Sequence, residues 1–178
     1  RQMCIRDRLL NGEFRFYLPG MADLSYTNNK AIKALDFIGL NYYSRWHVKG
    51  HLNPNEPFTF EKRKQDIQTD MPYSIYPEGF YKALNTVNKL EMPIIVTENG
   101  IADDKDDRRK LFINRYLYAL FQAMQDGLVV NGYFYWSLMD NFEWAEGYSM
   151  KFGLYEVDFS SQDRNCLLYT SDAADDNV

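Results

Sequence analysis

The stretch Pro93-Ile94-Ile95-Val96-Thr97-Glu98-Asn99-Gly100 limits the folds open to this chain more than any other. Its apolar run is too short for a helix and is bounded by Pro and Gly, so it reads as a strand buried on both faces. The run ends in a carboxylate followed by Asn-Gly, a turn signal. A charge at the end of a buried strand is costly unless something neutralises or uses it. In parallel α/β sheets and barrels, the carboxyl ends of the strands are where ligands bind and chemistry happens. Glu98 is therefore a candidate functional carboxylate, with an ion-paired structural glutamate as the competing reading.

The flanking sequence alternates strand-like and helix-like segments, the pattern of βα units around a parallel sheet. Phe37-Ile38-Gly39-Leu40-Asn41 is a short apolar run ending in a polar side chain, preceded by a short helical stretch from Asn29 to Leu35. Arg45 to Ser74 is polar, carries Pro54, Pro57 and Pro72, and reads as a long excursion loop. Pro77 suits the first turn of a helix to about Leu90, with Phe80, Leu84 and Val87 on its apolar line. Asp103, Asp104, Asp106 and Asp107 precede a second helix to about Gln125 and read as its solvated start, favoured by the helix dipole over a metal site. Phe112, Tyr116, Leu120 and Ala123 give that helix its buried face. A third strand, Val129 to Leu138, ends at Asp140 and Asn141. Right-handed crossovers point the carboxyl ends of successive parallel strands the same way, so Asn41, Glu98 and the Trp136–Asn141 segment converge on one face.

Composition narrows the class. The 178 residues are 46% hydrophobic and 25% charged, which is globular. A net charge of −5 gives no basic footprint for nucleic acid, and no apolar run is long enough for a membrane span. No signal-peptide pattern or Asn-x-Ser/Thr acceptor occurs, so a cytoplasmic location is expected. The aromatic content of 16% fits a full core or a site that stacks flat faces such as sugar rings. Cys4 and Cys166 form no metal or redox motif, and no cofactor is expected. Residues 1–8 and 165–178 read as non-native tails around a domain spanning 9–164, because neither continues the periodicity beside it.

Trp136-Ser137-Leu138-Met139-Asp140-Asn141-Phe142-Glu143-Trp144 places two tryptophans and two carboxylates within nine residues. A tryptophan face stacks on a sugar, and a carboxylate accepts two hydroxyl hydrogen bonds. Together with Thr97-Glu98-Asn99-Gly100, Asp36 to Tyr43, Ile75-Tyr76-Pro77-Glu78-Gly79 and Tyr148 to Phe159, this resembles glycoside hydrolase family 1, the β-glucosidase family. The resemblance covers roughly Phe14 to Arg164 and implies an α/β fold, the sixth to eighth strands of a (β/α)8 TIM barrel, incomplete as given. It implies a retaining β-glycosidase acting on a small-molecule or oligosaccharide β-glycoside, without cofactor, metal, nucleic acid or membrane.

Residue by residue, the resemblance makes Glu98 the nucleophile and Tyr43 the group that positions it. Asn41 lies at the same strand end, and Trp136 is the platform under the sugar. Glu143 and Trp144 bind its far hydroxyls, with Phe152 lining that pocket. Glutamate at 143 implies an unphosphorylated sugar, since a carboxylate repels a phosphate dianion. Tyr73 stands where many members carry a tryptophan that stacks on the leaving group.

The family's acid/base belongs to an Asn-Glu-Pro motif upstream of Asn41. Asn55-Glu56-Pro57 lies after Tyr43 in the polar loop and is read as a coincidence, so the fragment alone is expected to be inactive. His47 and His51 read as surface histidines without a role. Transglycosylation stays open within the enzyme reading. The alternatives from other classes are a glycan-binding, catalytically degenerate member and a purely structural (β/α) domain.

Overall fold

The computed structural model describes residues 9, 11–32, 34–53 and 55–167. Its centre is a parallel sheet of β3 (Ile38–Asn41), β6 (Ile94–Asn99) and β7 (Val130–Tyr135), with β6 between the other two. Residues 77–88 form α1 between β3 and β6, and Arg109–Gln125 form α2 between β6 and β7. These are two successive βα crossovers of an open barrel arc, with β3 and β7 as its outer strands.

The apolar runs explain the core. Ile94 and Val96 on β6 are fully buried against Phe80 and Leu84 of α1 and Phe112, Tyr116, Leu120 and Ala123 of α2. Burying a side chain of this size contributes about 1.5–3 kcal/mol, so this helix-covered face of the sheet anchors the fold. Phe112 and Tyr116, one helical turn apart, stack with ring centroids at 4.0 Å.

Helix α1 begins at Pro77 as the sequence predicts and ends at Asn88, two residues before the expected Leu90. The N–H groups of Leu90 and Glu91 bond back three residues to Val87 and Asn88, which tightens the last turn. Glu91 then takes φ 55 and reverses the chain into β6.

Four further expectations are corrected. The Asn29–Leu35 helix is a 3-10 turn over Asn29–Ala31, closed by the Asn28 side chain on the Lys30 N–H. The Arg45–Ser74 excursion is not loop throughout, because β4 (His47–Gly50) and β5 (Phe58–Glu61) pair antiparallel within it. The third strand stops at Tyr135. There Trp136 N–H still donates to Asn99 O, after which Ser137 N–H turns to Phe152 O, so Asp140 and Asn141 lie beyond the sheet. Asp103 is not solvated. Its buried carboxylate accepts from the N–H groups of Arg108 and Arg109 and so caps α2 from inside.

Two antiparallel hairpins flank this unit. Strands β1 (Glu13–Leu18) and β2 (Ala22–Thr27) turn at Gly20, with φ 71. Strands β8 (Tyr155–Val157) and β9 (Arg164–Cys166) pair Tyr155 with Cys166, two residues past the expected domain end at 164. Of the expected tails 1–8 and 165–178, residues 1–8 and 168–178 lie outside the described residues.

Candidate active site

The site end of β6 is built by an irregularity in register. Leu40 pairs with Val96, but the next β3 residue, Asn41, pairs with Glu98. On the other side Val96 pairs with Tyr133 and Asn99 with Tyr135. Beyond Val96, β6 thus carries one residue more than either neighbour. Such a bulge re-aims side chains. Here Thr97 and Glu98 both escape the helix-covered face, between buried Val96 and buried Asn99. Strict alternation would have sent Glu98 into the core with Ile94 and Val96.

Glu98 is met there by Tyr43, whose hydroxyl donates to Glu98 Oε2 at 2.8 Å. Burial, this hydrogen bond and the Glu98 charge all push the Tyr43 hydroxyl far above its ordinary pKa, so it stays a donor. Its ring is walled by Tyr73, at 6.4 Å, and by buried Phe152, edge-on at 6.2 Å. The Glu143 carboxylate lies close enough for its charge to raise the hydroxyls of both Tyr43 and Tyr73. Asn41 is at the rim, accepting from Thr97 Oγ1 at 2.6 Å.

The structure therefore brings Glu98, Tyr43, Tyr73, Glu143 and Phe152 together, with Asn41 beside them. Trp136 is held next to this group by its N–H bond of 2.9 Å to Asn99 O. Gly100 permits that approach, because a Cβ there would collide with the Trp136 carbonyl oxygen. Trp144, in a 3-10 turn over Trp144–Glu146, is 84% exposed and stands apart from the group.

Three supporting residues were not singled out as functional in the sequence. Asn99, fully buried, donates to Tyr42 O at 2.6 Å and accepts from the Tyr133 hydroxyl at 2.8 Å, which fastens the ends of all three parallel strands together. Tyr116 of α2 donates to Tyr43 O and accepts from Tyr76 N–H, both at 3.0 Å. Arg109 is buried and reaches Asp106, the Tyr135 hydroxyl and the carbonyls of Ile101, Asp103, Lys151 and Phe152. It locks the segment carrying Phe152 onto the start of α2. Tyr116 showed in the sequence only as part of an apolar helix face, Asn99 as part of a turn signal and Arg109 as one of a run of charges.

Asp140 is also structural, accepting from Gly153 N–H at 2.8 Å and pairing with Lys151 at 3.4 Å. His47 is not a surface histidine. It is mostly buried, with Nε2 at 2.7 Å from Asp66, which also pairs with Arg45 at 3.0 Å. His51 is exposed, beside Thr59. Glu56 lies exposed in the connection between β4 and β5. Among the described residues, no group of three or more His, Cys, Asp or Glu could hold a metal ion, and no helix is long and apolar enough to cross a membrane.

The family model for Glycosyl hydrolase family 1 matches residues 18–172. Beta-glucosidase A of Thermotoga maritima is 39% identical over 164 residues, covering 84% of this chain and 35% of that protein. The beta-galactosidase of Pyrococcus woesei is 38% identical over 151 residues, covering 75% of this chain and 29% of its own length. The solved β-glycosidase from Pyrococcus horikoshii superposes with a TM-score of 0.74 at 38% identity, over 90% of this chain and 37% of that one. The chain thus spans about a third of the length of the curated relatives it matches. The parallel strands, their order and the carboxylate at their mouth fall within the matched region, and on that match the chain belongs to glycosyl hydrolase family 1.

Proposed function

We propose that this chain carries the nucleophile half of a retaining β-glycosidase acting on unphosphorylated β-glycosides, with Glu98 as nucleophile. The observation behind this reading is the 2.8 Å hydrogen bond from a protonated Tyr43 to Glu98 Oε2 at the carboxyl end of a barrel strand. With Oε2 held, Oε1 is the oxygen that attacks the anomeric carbon. The bond to the leaving group breaks as a general acid protonates the departing oxygen, giving a glycosyl ester on Glu98. Water then attacks that carbon, the same group takes its proton, and the ester bond to Glu98 breaks.

Retention requires the second carboxyl about 5–5.5 Å from the first. We read exposed Glu56 as a residue of the polar excursion and assign the acid/base to polypeptide that precedes Asn41 in the complete enzyme. Without proton donation the rate falls by about 10²–10⁴-fold, so the chain alone is inactive in this reading. Trp136 serves as the platform for the sugar in the cleaved position. Glu143 and Trp144 receive its outer hydroxyls, Trp144 by folding in from its open position.

The test uses the enzyme completed to the length of its relatives. Incubation with a 2-deoxy-2-fluoro-β-glucoside bearing a good leaving group should leave a stable adduct on the Glu98 peptide, seen by mass spectrometry. A folded protein that binds β-glucosides and never labels Glu98 would sink the assignment and leave the glycan-binding alternative.

A further inference from the structure

Thr97, the residue that the irregularity adds to β6, does more than re-aim its neighbour. It is exposed, on the same side of the sheet as Gly39 and Asn41 of β3, and its hydroxyl donates to Asn41 Oδ1 at 2.6 Å. A Cβ at position 39 would lie 3.3 Å from Thr97 Cγ2 and 3.4 Å from Thr97 Oγ1, so glycine there leaves both branches their room. A β-branched side chain is stiff at χ1. Committing its hydroxyl to one acceptor therefore costs little conformational freedom.

An amide carries an accepting oxygen on one side and a nitrogen with two donors on the other. The last torsion of asparagine is broad and nearly two-fold, so an unheld amide at an exposed strand end offers either side. With Oδ1 drawn to Thr97, the Asn41 amide turns its N–H groups away from Thr97, to the open side. Asn41 is also the register partner of Glu98, so the two sit abreast at the ends of adjacent strands. The reverse orientation would set a carbonyl oxygen where Glu98 already supplies an acceptor. As held, the pair offers an incoming sugar one acceptor and one donor.

We propose that Thr97 is a positioning residue, which holds the Asn41 amide as a fixed donor to an oxygen of the bound sugar on or next to the reacting carbon. The proposal deepens the nucleophile reading and rests on it. Thr97 acts through Asn41 and takes no part in the bond changes. A Thr–Asn pair that only braced two strands would alter stability and leave catalysis untouched.

The test is a double-mutant cycle on the enzyme completed to the length of its relatives, with para-nitrophenyl β-glucoside as substrate. Thr97→Val keeps the shape, removes the hydroxyl, and should lower kcat/KM by between about twofold and tenfold. Thr97→Ser keeps a donor and should stay within about twofold of the unsubstituted enzyme. In an Asn41→Ala background, Thr97→Val should cost less than about twofold further, because the amide it acts through is gone. Equal losses with and without Asn41 overturn the proposal, as does a Thr97→Val enzyme whose urea midpoint falls while kcat/KM holds. A shift of the alkaline limb of the kcat–pH profile in Thr97→Val overturns it too, since the amide would then serve the catalytic acid and not the sugar. Labelling of Glu98 by the fluoro-sugar separates the two levels. An active enzyme never labelled there loses the nucleophile reading and the Thr97 proposal with it. Labelled Glu98 together with additive losses removes the Thr97 proposal alone.

Discussion

The hydroxyl of Tyr116 donates to the backbone carbonyl of Tyr43 at 3.0 Å, so a residue in the middle of α2 fixes the chain that presents the hydrogen bond to Glu98. The Tyr116 hydroxyl oxygen also accepts from Tyr76 N–H, just before α1. Tyr116→Phe keeps the ring stack on Phe112 and removes both bonds. Leaving two part-buried backbone groups unpaired should cost about 1 kcal/mol of stability, read as a lower urea midpoint with unchanged m. In the completed enzyme kcat should fall with little change in KM, because the defect reaches Glu98 only through Tyr43.

Tyr43→Phe removes the donor itself. Loss of one preorganised donor typically costs about 10²–10³-fold in rate, and a kcat/KM for aryl glucosides reduced to that extent is the expected result. Because the Tyr43 hydroxyl is pushed far above its ordinary pKa, ultraviolet titration should show it still protonated at pH 10 in the unsubstituted protein. A tyrosinate at Tyr43 below that pH would contradict the burial seen here.

Arg109→Met should be among the most destabilising single changes. The methionine fills similar volume but takes the guanidinium from Asp106, the Tyr135 hydroxyl and four carbonyls, of which those of Asp103, Lys151 and Phe152 keep a backbone N–H. Breaking a buried pair from one side costs about 3–5 kcal/mol, and chemical denaturation should report a loss of that order. Phe152 would move with its carbonyl, so the wall beside Tyr43 should loosen as well.

The hairpin anchor is predicted to be acid-sensitive. The hydrogen bond from His47 and the nearby Arg45 charge hold the Asp66 carboxyl below the usual carboxylate range, against the opposing effect of burial. A depressed native pKa means the stabilisation is complete above the unfolded value of about 3.9 and is lost as pH falls through the native one. Limited pepsin digestion at stepped acidic pH should therefore spare the 47–61 hairpin near pH 4 and cut it as pH drops further. Asp66→Asn should be cut already near pH 4.

Gly100→Ala tests the close approach of the Trp136 carbonyl. Overpacking of this kind costs about 1–3 kcal/mol, and relief requires Trp136 to shift. The expected outcome is a lower Tm together with a weaker Kd for a glucose-shaped inhibitor of the completed enzyme.

Strands β3 and β6 were legible because each is a short apolar run with a polar residue at its end, β7 showed through its aromatic residues, and Pro77 marked the start of α1. The convergence of Asn41 and Glu98 followed from crossover handedness alone. What the sequence hid depends on partners. The extra residue at Thr97 exists only as a mismatch of register between three strands, so no single strand shows it. Strands β4 and β5 are four residues each and bury little, which leaves too weak a periodicity to separate them from loop. Asp103 looked like one of four exposed acids, and its burial is decided by Arg108 and Arg109 folding back over it.

The Asn99 side chain hydrogen-bonds Tyr42 just past β3 and Tyr133 within β7, both outside the long excursion between Arg45 and Ser74. Asn99 thus ties the three strand ends together without a side chain from the excursion. Insertions, deletions and drift in the excursion can change which molecules an enzyme of this design accepts, while the chemistry at its centre is inherited unaltered.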